Sequence, residues 1–583
     1  MTDNPLIVQS DLTVLIDVAA PRYAEARDAL ARFAELVKSP EHIHTYRISP
    51  LSIWNACAAG VPIDEIVGTL TTFSRFAIPS HVSTYVRDFA SRFGRVRIER
   101  DTADSTGAHL LVFTSDAVLA EELVHGKQLA LLLTDRVSAT CFRIRHLDRG
   151  RIKQALIKAG YPAEDIAGYT RGDALDIALR TVTRHGQPFA LRDYQVDAVH
   201  AFHVQGAERG GSGVIVLPCG AGKTIVAMGA IAAVQSSTLI LTTSVSAVRQ
   251  WIAELLDKTE VPADMIGEYG GRSKEVRPIT VATYQILTHR ASTGGAFTHL
   301  ALFDRCNWGL IVYDEVHLLP APVFQITATL QARRRLGLTA TLVREDGRED
   351  DVFALIGPKK ADVPWKVLER QGWIATAVCT EVRVAMPEAS RMPYAVAEAR
   401  DKFRIASENA GKTPVVRDIM ARHPGEPALI IGMYLEQLDQ IASKLGAPLI
   451  TGKTAQATRD TLYEQFRTGS IPALVVSKVA NFAIDLPDAS LAIQISGTFG
   501  SRQEEAQRLG RILRPKAGAN QAHFYSIVTA DTVEQEFALK RQLFLCEQGY
   551  EYQIADAHEL RQAQPAIDKS SAALQTAARS TDS

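Results

Sequence analysis

One stretch constrains this chain more than any other: Leu217-Pro218-Cys219-Gly220-Ala221-Gly222-Lys223-Thr224. An apolar run from Gly213 to Leu217 precedes it and a helix-forming run from Ile225 to Val234 follows it, so the pattern predicts strand, tight glycine turn, helix start. Gly220 and Gly222 let the backbone turn its N–H groups inward, and the helix N-terminus adds positive partial charge, which together cradle a phosphate. Pro218, Cys219 and Ala221 fill out that loop. Lys223 is placed to reach the β- and γ-phosphates, and the Thr224 hydroxyl to ligate Mg²⁺. The bland alternative is a chance glycine loop before a helix, but three further motifs would then also be accidents.

The full phosphate-loop pattern asks for glycine where this chain has Leu217. The shorter G-x-G-K-T form is the variant that helicase-like motors use, so the departure narrows the class. About ninety residues further on, the apolar strand Leu310-Ile311-Val312-Tyr313 ends in Asp314-Glu315-Val316-His317. A parallel sheet can set that end beside Lys223 and Thr224. Asp314 then holds Mg²⁺, directly or through water, and Glu315 polarises the attacking water. Acidic pairs cap strands often; this one gains its meaning from following this loop in this order.

From Leu191-Arg192-Asp193-Tyr194-Gln195 onward, strands alternate with helices, the signature of a parallel α/β sheet. Strands are expected at Ser237–Thr242, Ile279–Ala282, Leu310–Tyr313 and Arg335–Leu338, the last ending in Thr339-Ala340-Thr341. Polar chemistry at successive strand ends is what a doubly wound sheet offers, since ligands bind outside its carboxyl edge. Arg344-Glu345-Asp346 follows at once. A connecting region from about 364 to 412 includes a helix-rich, polar part over Met392–Ala410 with no obvious sheet strand of its own. Strand–helix alternation then restarts at Ala428–Ile431, so a second α/β domain is expected. On a helix of that domain Gln507, Arg511 and Arg514 share one face. Arginines aimed from there at a phosphate held by the first domain would stabilise transition-state charge.

The N-terminal part predicts strand character from Pro5 to Val18, a helix over 22–38, and strand, turn at Ser49-Pro50, then helix over Thr45–Gly60. A second small unit starts near Gly126, with a strand over Thr140–His146 and a helix over Arg149–Ala159. Its basic residues Arg143, Arg145, Arg149, Arg151 and Lys153 read either as a solvated face, the commoner meaning, or as a nucleic-acid contact. His42 and His44 lack a nearby third ligand and read as packing residues.

Composition sets the outer limits. The chain has 583 residues, room for about four domains at roughly 150 residues each. A formal net charge of −1 leaves no overall nucleic-acid footprint, so a polyanion must be held in a locally basic cleft or by backbone N–H and hydroxyl groups. The six cysteines are scattered with no C-x-x-C pair, which argues against a zinc site or an iron–sulfur cluster and for a reducing cytosol. No apolar run approaches the ~18 residues of a membrane span, so no membrane role is expected. The tail from about Arg561 is rich in Ala, Gln, Ser and Thr and reads as disordered.

Taken in order, these motifs resemble those of superfamily two helicases, and more closely the XPB-type DNA repair and transcription helicases in a bacterial or archaeal form. The resemblance rests on Leu217–Thr224, Asp314–His317, Thr339–Asp346, Ser477-Lys478-Val479 with Asp485-Leu486-Pro487, and Gln507–Arg514. Pro40–Tyr46 with Leu51–Trp54 is similar to that family's N-terminal domain. It implies an α/β fold: two tandem RecA-like parallel-sheet motor domains preceded by small α+β N-terminal domains, with a helical thumb-like insertion. The implied divisions are 1–125, 126–185 (damage-recognition-like), 186–363 (first motor domain), 364–412 (connector and thumb), 413–556 (second motor domain) and 557–583.

The resemblance also implies ATP-dependent 3′→5′ DNA unwinding in repair, with ATP and Mg²⁺. Arg192 and Gln195 would read adenine, Lys223 and Thr224 would bind phosphate and metal, and Asp485 would belong to the nucleotide site. Arg344, Glu345 and Asp346 would open the duplex. Thr243, Arg249, His317, Thr339 and Thr341 would contact the track or couple it to the nucleotide. The implied partner is forked or damaged DNA, a nuclease being a further candidate, and a monomer is expected. Two other readings stay open: a duplex translocase that never separates strands, and an ATP-gated scaffold positioning a nuclease. A complete hydrolytic set in Glu315, Arg511 and Arg514 argues against the scaffold.

Overall fold

The structure is a computed structural model. It describes residues 4–38, 42–207, 210–218, 220–271, 273–290, 298–299, 302, 306–320, 323, 327, 330, 333–340, 349–363, 365–477, 489–496, 521–547, 550 and 552–562. The described chain divides into two compact units, one built mainly from Met1–Ile374, the other beginning at Ala375.

The first unit starts with an antiparallel four-stranded sheet in the order Leu6–Val8, Thr13–Asp17, Ile43–Arg47, Glu35–Lys38. Val14 and Ile16 point into its core, as the alternation predicts. The helix expected over 22–38 is shorter: it covers Tyr23–Leu30, and Glu35–Lys38 is an edge strand paired to Ile43–Arg47. Pairing with a strand supplied by the following segment overrides a weak helical pattern there. The turn at Ser49-Pro50 is as expected. The Ser52 N–H donates to Ser49 Oγ at 3.1 Å and the Ser49 N–H to Ser52 Oγ at 3.0 Å, a reciprocal cap that starts the helix Pro50–Ala58. His44 is buried, with Nδ1 3.1 Å from the Tyr23 hydroxyl, a packing residue rather than a ligand.

A second sheet runs in the order Leu133–Ser138, Cys141–Arg145, His109–Thr114, Val96–Arg100, Ala163–Asp165. It takes strands from both sides of the expected division at 125/126, which therefore cuts through one domain; pairing between His109–Thr114 and Cys141–Arg145 is not visible in local patterning. Two of the basic residues considered for nucleic acid are internal here. Arg149 is 1% exposed and donates through Nη2 to Asp165 at 2.6 Å, and Lys153 Nζ lies 3.2 Å from the same carboxylate. Arg143 pairs with Asp101, and Asp148 takes both Arg145 and Arg151, whose side chains stay largely exposed.

The largest sheet of this unit is all parallel, in the order Ile266–Tyr269, Ile279–Thr283, Thr238–Thr242, Leu310–Asp314, Arg334–Thr339, Ser212–Val216, Lys359–Asp362. Its central strands are buried end to end, matching their continuous apolar runs. The small domains are seated on it: Trp54 and Ile157 share a core with Val214, Leu239 and Trp308. Asn55 Oδ1 accepts from the Lys359 N–H at 3.1 Å, and Gln154 Nε2 donates to Asp351 at 2.8 Å.

The second unit holds another seven-stranded parallel sheet, ordered Leu449–Ile450, Ala473–Ser477, Ala428–Gly432, Leu491–Gln494, Gln521–Thr529, Thr376–Val384, Tyr552–Asp556. Two tandem parallel-sheet domains are thus present. The connecting region, however, contributes a strand: Thr376–Val384 is flanked by Gln521–Thr529 and Tyr552–Asp556, so the second domain begins near 375, not 413. The polar segment after it forms the helices Glu388–Val396 and Ala399–Ser407, as expected. Lys412, at the end of the expected connector, is fully buried in an ion pair with Glu534 and offers nothing to a phosphate.

Candidate active site

Because the strands at Ser212–Val216, Arg334–Thr339 and Leu310–Asp314 are parallel neighbours, their carboxyl ends fall side by side. Each carries one of the expected motifs. After Val216, the Leu217 N–H donates to the Thr339 carbonyl at 3.0 Å, and the chain turns through Gly220 (φ +82°) and Gly222 (φ +79°) into the helix Lys223–Val234. Both glycines stand in the left-handed region, where a Cβ costs energy. At Gly222 a Cβ would also meet Gln195 Nε2 at 2.6 Å.

That glutamine is 3% exposed and is satisfied at both ends of its amide. Its Nε2 donates to the Ala221 carbonyl at 3.1 Å, and its Oε1 accepts from the Arg192 N–H at 3.0 Å. The Tyr194 hydroxyl donates to the same Ala221 carbonyl at 2.8 Å. Gln195 therefore supports the glycine loop from behind. Arg192 stands at the edge of this group, its guanidinium 4.2 Å from the Trp373 ring centre.

Lys223 Nζ lies 3.1 Å from Glu315 Oε1. Glu315 adopts φ +50°, uncommon for a residue with a side chain, and so turns back from its strand end toward the loop. Burial alone would raise its proton affinity, but the Lys223 ammonium, His317 and the Ala340 N–H outweigh this and hold the carboxyl below its ordinary value. Asp314 moves the other way: burial first, then the adjacent Glu315 charge, push its carboxyl up against the opposing Trp251 hydrogen bond and Lys223. Trp251 Nε1 donates to Asp314 Oδ2 at 2.9 Å, and the Tyr284 hydroxyl to the Asp314 carbonyl at 2.9 Å. His317 is buried, with Nδ1 2.7 Å from Thr339 Oγ1 and 3.6 Å from Glu315 Oε2. One imidazole thus touches two strand ends.

Thr224 is the second residue of the helix Lys223–Val234. Thr243 follows the Thr238–Thr242 strand and its carbonyl accepts from Gln285 Nε2 at 2.9 Å; Arg249 is exposed on the helix Val245–Lys258. Cys219, Thr341, Arg344, Glu345, Asp346, Asp485, Gln507, Arg511 and Arg514 lie outside the described residues. Tyr194, Trp251, Tyr284 and Trp373 were not among the candidates. Tyr194 sits inside the Leu191–Gln195 stretch without being singled out, and no motif marks Trp251, Tyr284 or Trp373.

The arrangement is a helix N-terminus and glycine loop with a cation, a depressed carboxylate and a second carboxylate whose ionisation the surroundings oppose. Such a set can bind a polyphosphate, orient water against it and neutralise Asp314 with a divalent cation.

Comparison with known proteins agrees with that chemistry. The profile of the ERCC3/RAD25/XPB C-terminal helicase matches residues 368–579, that of a helicase conserved C-terminal domain residues 6–138, and that of the type III restriction enzyme res subunit residues 188–344. A Mycobacterium tuberculosis protein named DNA 3′-5′ helicase XPB is 52% identical across 96% of this chain and 99% of its own length. A protein of that name from Kineococcus radiotolerans is also 52% identical, over 97% and 99%. The XPB subunit of general transcription and DNA repair factor IIH from Antonospora locustae is 33% identical over 96% of this chain and 82% of its own. With such identity maintained along nearly the whole of both chains, this chain belongs to the XPB family of superfamily two helicases.

Proposed function

We propose that this chain couples ATP hydrolysis to 3′→5′ movement along DNA, separates the strands as it goes, and serves DNA repair. The observation that carries this reading is the Lys223–Glu315 contact of 3.1 Å, made where a glycine loop and an acidic strand end share one sheet edge. In this reading Lys223 and the loop N–H groups bind the β- and γ-phosphates, and Glu315, held ionised, accepts a proton from the attacking water. His317 and Thr339 pass the state of the site to neighbouring strands.

Asp314 and Thr224 fit a Mg²⁺ ion, because a buried carboxylate pushed toward its neutral form is the group a divalent cation would ionise. When bound, that ion supplies positive charge at the phosphates. Arg192 lines the adenine side with Gln195 bracing the loop behind it, while Thr243, Arg249 and the Arg344-Glu345-Asp346 element serve the polynucleotide.

ATP turnover with no nucleic acid, single strand, duplex, fork and RNA, run beside strand displacement on 3′- and 5′-tailed duplexes, tests the proposal. Turnover should rise with DNA and displacement should require the 3′ tail; Lys223→Ala should lower turnover by roughly 10²–10³. Displacement of a triplex strand without unwinding would favour the translocase reading, and turnover indifferent to DNA would defeat both.

A further inference from the structure

The second unit carries a cluster that ATP chemistry does not use. His423 follows the helix Lys412–Arg422, Glu426 lies in the turn before the strand Ala428–Gly432, and His523 is the third residue of the strand Gln521–Thr529. The Glu426 N–H donates to the His423 carbonyl at 3.3 Å, and the His523 N–H to the Ser490 carbonyl at 2.8 Å, so backbone bonds hold both segments in place. All three sit at the amino ends of the parallel strands, the edge opposite to that on which a nucleotide site forms in such sheets. The scattered cysteines argue only against a thiolate zinc site; imidazole and carboxylate donors are a separate matter.

We infer that His423, Glu426 and His523 bind one divalent transition-metal ion, of the kind zinc represents.

Three observations carry this. First, one donor atom from each side chain lies within 4.8 Å of the other two, a grouping found once among the described residues. His423 Nδ1 and Glu426 Oε1 are 3.4 Å apart, which is the edge of a tetrahedron whose metal–ligand bonds are about 2.1 Å long. Second, the far nitrogen of His423 is already oriented. Nε2 lies 3.0 Å from the Tyr525 hydroxyl and Nδ1 3.4 Å from Glu426 Oε1; without metal Nδ1–H donates to the carboxylate, and a bound ion at Nδ1 would shift that proton to Nε2, which then donates to the Tyr525 oxygen. Metal-ligating histidines are held by this kind of outer hydrogen bond, which fixes tautomer and ring direction. Third, Glu426 Oε2 is shielded from solvent with no hydrogen-bond partner among the described residues. A shielded carboxylate oxygen without a donor is costly, and a cation relieves that cost.

The His523 ring centre lies 4.2 Å from that of His423 at 45° between planes, and one of its nitrogens lies within 4.8 Å of the His423 and Glu426 donors. Two imidazoles and one carboxylate leave a fourth position for water. Nitrogen-rich sets of this type select zinc-class ions over Mg²⁺, which prefers all-oxygen octahedra. A bound ion would cross-link segments about a hundred residues apart in sequence and stabilise the second sheet by linkage.

The test uses the full-length chain, stripped with chelator and free of nucleotide. ZnCl₂ titration by calorimetry should show one tight site per chain, and Zn²⁺ but not Mg²⁺ should raise the melting temperature. Co²⁺ in place of Zn²⁺ should give the absorption of a four-coordinate site. His523→Ala should abolish the site, and Glu426→Gln, in a partly exposed turn, should weaken it at least tenfold with an unchanged circular dichroism spectrum. Absence of Zn²⁺ stabilisation in the unaltered chain, or the same tight site persisting in the folded Glu426→Gln variant, would overturn the assignment.

Discussion

Lys412 Nζ and the Glu534 carboxylate meet at 2.7 and 2.8 Å with both side chains wholly buried. The lysine also donates to the Ile495 carbonyl at 2.8 Å, and the glutamate accepts from the Thr529 N–H at 2.9 Å. A charged pair is tolerated there because hydrogen bonds surround it, and it ties the start of one helix to two strand ends of the second sheet.

Removing one member should be far worse than removing both. Lys412→Met leaves an unpaired buried carboxylate and should destabilise the second domain by about 3–5 kcal/mol. Lys412→Met with Glu534→Leu should regain most of the loss. Urea unfolding of the three proteins decides this, and a single variant as stable as the parent would show that the pair contributes little.

At the phosphate loop, Glu315→Gln keeps the shape of the side chain but not its basicity. ATP affinity should stay within a few-fold, while turnover should fall by roughly 10²–10⁴. Equilibrium nucleotide binding measured beside steady-state hydrolysis separates these effects. Weakened affinity with normal turnover would assign Glu315 to binding rather than to activation of water.

Gly222→Ala combines a φ of +79° with a clash against Gln195. The backbone strain alone should cost about 1–2 kcal/mol. Displacement of Gln195 from the Ala221 carbonyl should in addition weaken ATP binding. Gly186→Ala is the control, since Gly186 has φ +78° and open space around it. A larger melting loss at Gly222 than at Gly186, with loss of nucleotide affinity only at Gly222, is the expected pattern.

His44 makes the N-terminal sheet acid-sensitive. Burial, aided by the Arg27 charge, pushes its imidazole down to about 4. A depressed value means that the folded form favours the neutral ring. The stability this gives is therefore fully present above the ordinary histidine value near 6.5 and is lost as pH falls from there toward 4. The loss should approach about 3 kcal/mol. Melting curves between pH 7 and 4 should show this slope, and His44→Gln should flatten it. An unchanged slope would place the acid sensitivity elsewhere.

Much of the first motor domain is legible in the chain. Gly213–Leu217 and Leu310–Tyr313 are buried apolar runs, and the central strands of a parallel sheet look like that because both faces are covered. The glycine spacing before Lys223 announces its own turn, since φ near +80° is cheap only without a Cβ. Less legible were elements whose identity depends on a distant partner. Glu35–Lys38 is a strand because Ile43–Arg47 lies beside it, and Thr376–Val384 belongs to the second sheet because residues some 145 positions later pair with it. The division at 125/126 failed for the same reason.

The sequence by itself determined the residue types and their order: a phosphate loop, an acidic strand end, a hydroxylic strand end and a second run of sheet strands. These depend on local backbone preference and on chemistry that only certain side chains possess. Tertiary structure alone decided which charges are free to act. Arg149 and Lys153 read either as a solvated face or as a nucleic-acid contact, yet both are buried against Asp165, and Lys412 is buried against Glu534. It also set the opposite shifts of Asp314 and Glu315, which are neighbours in sequence. Burial and the positions of charges act through space, and the order of residues along a chain does not specify those distances until the chain has folded.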